Sequence, residues 1–89
     1  MTAVFLNIDE ARVVAALREA SEKLDGTKGE AILDFSSVCR IDSSAVRALE
    51  ELAQAAEEKN VKVVLGGVKV DVYKVLKLMK LTRRFSFVN

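Results

Sequence analysis

The stretch Ala31-Ile32-Leu33-Asp34-Phe35-Ser36-Ser37-Val38-Cys39-Arg40-Ile41-Asp42-Ser43-Ser44-Ala45-Val46 joins an apolar run to a turn and then to two adjacent hydroxyls at the start of a helical pattern. Ala31, Ile32 and Leu33 are apolar on consecutive rather than alternating positions, the signature of a central strand covered on both faces, so Glu30 to Ser36 is expected to be such a strand. After the turn, Asp42, Ser43 and Ser44 are residue types that cap helices well. From about Ser44 to Lys59, Ala45, Leu49, Leu52, Ala53 and Ala56 fall on one stripe, opposite Arg47, Glu50, Glu51, Gln54, Glu57 and Glu58. Small alanines on the apolar stripe would let this helix sit close to a sheet.

The same alternation continues on both sides. Upstream, Val4, Phe5 and Leu6 mark a strand over Thr2 to Asn7. A helix is expected from Asp9 to Asp25, with Val13, Leu17, Ala20 and Leu24 inward, Asp9 as N-cap and Asp25-Gly26 as the stop. Downstream, Val61 to Leu65 is a third strand closed by Gly66-Gly67, which reads as a turn in the absence of a Gly-Lys-Ser/Thr phosphate loop. Asp71 is expected to cap a third helix with Val72, Val75, Leu76 and Met79 inward and an end near Leu81. Phe85 to Val88 has the composition of a last, edge strand. Helices between successive strands imply right-handed crossovers and a largely parallel sheet. The expected fold is therefore α/β.

The 89 residues are expected to make one domain, 1–89, and a 51% hydrophobic and 30% charged composition suits a globular chain. No run approaches the roughly 18 unbroken apolar residues of a membrane span, and no basic leader precedes the first strand, so a cytoplasmic location is expected without membrane insertion. Cys39 is the one cysteine, expected to serve packing, and there is no histidine. The missing histidines exclude Ser-His and Cys-His nucleophile systems and His-based metal sites. Asp34 and Asp42 lie eight residues apart across a strand end, but no third carboxylate or following lysine completes an acidic phosphoacceptor pocket. The reading assigns no catalytic residue, metal or cofactor.

Charge is uneven along the chain. Residues 1–60 carry 7 Lys/Arg against 12 Asp/Glu, and residues 61–89 carry 7 against 1. Aromatic residues do not alternate with the charges of the basic end as a base-stacking surface requires, so it reads as a solvated helix face rather than a nucleic-acid surface.

With the strand, Asp42-Ser43-Ser44, the helix and the downstream Val61 to Gly67 and Val70 to Phe87 in order, the chain resembles the STAS (sulfate transporter and anti-sigma factor antagonist) domain family. The resemblance implies a small sandwich: a roughly four-stranded, mostly parallel sheet with three helices packed mainly on one side. In stand-alone bacterial members the serine after the Asp is phosphorylated by an ATP-dependent kinase that is also an anti-sigma factor, and only the unmodified form binds that kinase tightly. Carried onto this chain, the phosphoacceptor is Ser43, and Asp42, Ser44, Arg47 and Glu51 form the docking surface. Taken without the resemblance, Asp42-Ser43-Ser44 is an ordinary helix start, with either Asp42 or Ser44 as the cap. The chain departs from the family pattern at Ala45 and Lys80, where glycines are common, and in having only eight residues before Asp9. The short N-terminus and the basic third helix suit a second reading, a non-switching subunit docked on a transporter ATPase. A homodimer through the sheet edge is a further expectation left open.

Overall fold

A computed structural model of the chain describes residues 2–25 and 29–88. Its elements alternate as expected: β1 (Thr2–Asn7), a 3-10 turn (Glu10–Arg12) running into α1 (Val13–Lys23), β2 (Gly29–Asp34), α2 (Ser43–Glu58), β3 (Lys62–Gly66), α3 (Val70–Leu78) and β4 (Ser86–Val88). The four strands form one parallel sheet in the order β1-β2-β3-β4. Each crossover of the usual right hand steps the same way across the sheet, so all three helices fall on one face.

The register shows the two faces directly. Leu6, Leu33, Leu65 and Phe87 form one row across the strands, and Phe5, Ile32, Val64 and Ser86 form the next, on the opposite face. The first row meets the helices: Leu33 and Leu65 are fully buried, in one core with Leu17, Ala20, Leu49, Leu52, Val72 and Leu76. On the second row Phe5 is 74% exposed and Ile32 only half-buried. This corrects the expectation that β2 is covered on both faces. Its consecutive apolar residues reflect a central position, where in-row neighbours shelter Ile32, and not a second helical layer.

α2 carries the heaviest packing. Ala45, Val46, Ala48, Leu49, Leu52, Ala53 and Ala56 are buried, while Arg47, Glu50, Glu51, Gln54, Glu57 and Glu58 are exposed. Each fully buried leucine contributes about 2 kcal/mol by leaving water. Arg84 ties the segment before β4 to the outside of α2 through a forked pair with Glu57, Nε to Oε2 at 2.9 Å and Nη2 to Oε1 at 3.0 Å. That pairing holds the Glu57 carboxyl below its usual value and the Arg84 guanidinium above its own.

Several boundaries differ from expectation. Asp9 is a cap, its carboxylate accepting from Ala11 N at 2.9 Å, but of a 3-10 turn, because Arg12 leaves helical geometry (φ −142°, ψ 45°) before α1 begins. α1 ends at Lys23, with Gly26 of the expected stop outside the described residues. α3 starts at Val70, with Lys69 in the cap position and Asp71 in the first turn, where its charge suits the helix dipole without capping. Met79, expected inward, closes α3 and is 48% exposed. Cys39 is exposed as well; Val38 takes the core position beside it.

α2 and α3 end alike. Val61 N donates to Ala56 O (2.9 Å) and Asn60 N to Glu57 O (3.3 Å); Leu81 N donates to Leu76 O (2.8 Å) and Lys80 N to Lys77 O (3.1 Å). Both are Schellman turns, with Asn60 (φ 57°) and Lys80 (φ 61°) in the left-handed position usually held by glycine.

Candidate functional site

The β2–α2 connection places the two hydroxyls. At the end of β2, Asp34 Oδ1 accepts from Ser36 N at 2.9 Å and Asp34 Oδ2 from Asn7 Nδ2 at 3.4 Å. Hydrogen bonding by Ser36, helped by Asn7 and the Lys69 charge, holds the pKa of the Asp34 carboxyl below its usual value. Phe35 N then donates to Gly66 O (2.8 Å) and Val38 N to Phe35 O (2.9 Å), turning the chain while Phe35 and Val38 enter the core. Lys69 Nζ donates to Ser36 O across the same turn. Opposite it, Gly67 sits at φ +67°, and a Cβ there would lie 3.0 Å from Ser36 Cβ. Of the expected Gly66-Gly67 turn, Gly66 is instead the last residue of β3, paired with Asp34 and Val88, and the bend falls at Gly67, where glycine is needed for both its backbone and its clearance.

Asp42 decides how the hydroxyls are presented. With extended backbone (φ −103°, ψ −175°), its Oδ1 accepts from Ala45 N at 2.9 Å, satisfying an amide the helix leaves open. Asp42, not Ser44, is therefore the cap. Ser43 becomes the first residue of α2 and Ser44 the second, both exposed, at the end of a 16-residue helix where partial positive charge favours an anion.

Two of the clefts around this end of α2 share Ser43. Toward α1, Ser43, Ser44, Arg47, Ala48 and Glu51 meet Val14 and Arg18 around a depression of about 270 Å³. Toward α3, Ile41, Asp42, Ser43, Val46, Arg47 and Glu50 face Val75 and Met79 across a more apolar groove of about 360 Å³. Ser43 and Arg47 line both, so they form the ridge between them. All five residues singled out in the sequence thus gather around one helix end. Sequence reading missed Arg18, Val75 and Met79, which reach the site from other helices. It also missed that Val70, Tyr73, Leu78 and Met79, four of the large apolar side chains left exposed, belong to α3 and its end, among Lys69, Lys74, Lys77 and Lys80. The charge excess of residues 61–89 was the only hint of that surface.

Of the two carboxylates near the turn, Asp34 accepts from Ser36 and Asn7 and Asp42 Oδ1 accepts from Ala45 N. What the arrangement offers is an accessible hydroxyl between an apolar groove and a guanidinium-lined one. A group added there changes a surface without entering the core.

Comparison with known proteins bears on this geometry. The family model for the STAS domain matches residues 4–89. Among solved structures, the crystal structure of the "putative anti-sigma factor antagonist" TM1081 of Thermotoga maritima is 22% identical and superposes with a TM-score of 0.69, covering 100% of this chain and 75% of that one. The NMR structure of TM1081 gives 17% identity and a TM-score of 0.80, covering 98% and 74%. At these identities the likeness is one of fold. A search of the curated proteins finds no match.

Proposed function

Because the chain belongs to the STAS domain family, we propose that it is an anti-sigma factor antagonist-like regulator that works by binding a protein partner and is switched by phosphorylation of Ser43. The observation that carries this reading is the division of labour at the start of α2. Asp42 supplies the cap through Ala45 N, so the Ser43 hydroxyl takes no part in holding the helix and stands exposed on the ridge between two clefts. A phosphate there adds about −1.5 to −2 charge and three acceptor oxygens at a helix start that tolerates an anion, so it alters docking rather than folding. The name given to TM1081 supports the antagonist role.

In this reading the unmodified protein docks a kinase that doubles as an anti-sigma factor, through Asp42, Ser44, Arg47 and Glu51 and the α2–α3 groove. The domain transfers no group itself and acts in the cytoplasm. Among the described residues no helix is long and apolar enough to cross a membrane.

The test is incubation with ATP and the serine kinases of the same genome, followed by intact-mass measurement and a pull-down with wild type and Ser43→Asp. One phosphate on Ser43, with the partner lost from Ser43→Asp, is expected. No phosphate from any kinase, and a Ser43→Asp variant that keeps every partner, would overturn the switch. The apolar and basic surface of α3 favours a second reading, constitutive docking on a transporter ATPase, with Ser43 a contact rather than an acceptor. Recovery of such an ATPase by both wild type and Ser43→Asp would support it.

A further inference from the structure

We propose that β1 is a self-pairing edge, through which two copies of this chain join antiparallel into one continuous eight-stranded sheet. β1 and β4 end the sheet order, and they differ sharply as edges. Among the described residues β4 spans three, Ser86–Val88, and a short edge strand is a common way of blunting an edge. β1 has six residues, Thr-Ala-Val-Phe-Leu-Asn, with no charge or proline, the features that otherwise deter pairing. Its register with β2 runs unbroken from Thr2↔Gly29 to Asn7↔Asp34, so no bulge twists it away.

The direction of each amide in β1 follows from one hydrogen bond. Ile8 N donates to Asp34 O at 3.0 Å, so the Ile8 amide points at β2. Amides alternate sides along a strand; Leu6 and Val4 therefore face β2 too, while Ala3, Phe5 and Asn7 turn their N–H and C=O groups outward. Those three positions are symmetric about Phe5. An antiparallel second copy centred there pairs Phe5 with its own Phe5, and Ala3 with Asn7 in both directions, giving about six backbone hydrogen bonds. The register closes on itself, as a two-fold interface must, and leaves no outward β1 edge to propagate.

The side chains fit the same axis. Phe5 stands on the helix-free face, 74% exposed, beside a shallow depression of about 300 Å³ lined by Phe5, Leu6, Asn7, Ile32 and Asp34. In the pair, the two Phe5 rings lie directly opposite one another on one face, an aromatic cross-strand pair that removes exposed apolar surface. The strand itself carries no charge, so no like-charged side chains of β1 face one another across the pair. A second copy is therefore the occupant that this edge fits without help from any other chain.

Sedimentation velocity of the full chain across a dilution series, from near millimolar to below micromolar, is expected to show twice the 9.8 kDa monomer mass at the high end. Phe5→Pro removes the two hydrogen bonds at the axis without touching an amide that faces β2, and should weaken the dimer about thirtyfold. Phe5→Lys keeps the amide but sets two cations opposite each other, and should weaken it roughly tenfold. Amide exchange on the wild-type protein makes the test independent of how the variants fold. Phe5 and Asn7 should become protected as concentration rises, while Leu6 is protected throughout. A monomer at every concentration would overturn the proposal, and so would a dimer in which the Phe5 and Asn7 amides still exchange freely. Neither outcome bears on the Ser43 switch.

Discussion

Replacing Lys80 by glycine should stabilise the protein, although it deletes a charged residue and adds no contact. Lys80 holds the left-handed position of the turn ending α3, at φ 61°, with its N–H on Lys77 O and the following Leu81 N–H on Leu76 O. A residue with a Cβ pays roughly 1–2 kcal/mol to adopt that conformation, because the Cβ crowds the following carbonyl. Glycine avoids this cost but brings back roughly 0.5–1 kcal/mol of extra unfolded-state freedom. The expected net gain is about 0.5–1 kcal/mol, which for a domain of this size raises Tm by roughly 2–8 °C. Urea unfolding and a thermal melt both read it. Lys80→Ala separates causes, since it removes the charge but keeps the Cβ; it should gain no more than a few tenths of a kcal/mol. Asn60 occupies the equivalent turn after α2 at φ 57°, and because Asn tolerates this region better, Asn60→Gly should gain less than Lys80→Gly. If Lys80→Gly is neutral or destabilising, or Lys80→Ala gains as much, the strain argument fails.

Asp42→Ala should cost about 1 kcal/mol by leaving Ala45 N without its cap, whereas Asp42→Ser should cost only a few tenths; equal losses in urea unfolding would deny Asp42 the capping role. Gly67→Ala should cost about 1–3 kcal/mol, combining a positive φ with a Cβ 3.0 Å from Ser36, and a Tm within a degree of wild type would count against it. The Asp34 pKa is depressed in the folded state, so its contribution is present above the unfolded value near 3.8 and lost as pH falls through the folded one. Asp34→Asn should accordingly flatten the fall in stability on the acid side of pH 4 while leaving the slope above pH 6 unchanged, which denaturation across pH can check.

The helix positions were legible because burial leaves a periodic trace. The inward stripe of α2, from Ala45 to Ala56, is buried and the opposite side is exposed, as the spacing indicates. Caps are legible for the same local reason, and Asp9 and Asp42 both serve as caps. Lys69 at the start of α3 was not legible, since its side chain caps nothing. Met79 misled because its spacing continues the inward stripe one position past the end of the helix. The open sheet face was hidden too: three consecutive apolar residues in β2 look the same whether a second layer or only neighbouring strands shelter the middle one.

Short-range physics is written into the chain itself: the alternation of strands and helices, the stripe that faces the core, the turn at Gly67 and the cap that frees Ser43 all depend on residues a few positions apart. Whatever depends on which way the crossovers step across the sheet was decided only by the tertiary structure. That order puts every helix on one face, leaves Phe5 on the other, and sets β1 at an edge. It also brings Arg18 from α1 and Met79 from the end of α3 to opposite sides of one exposed serine, across separations that no local pattern encodes.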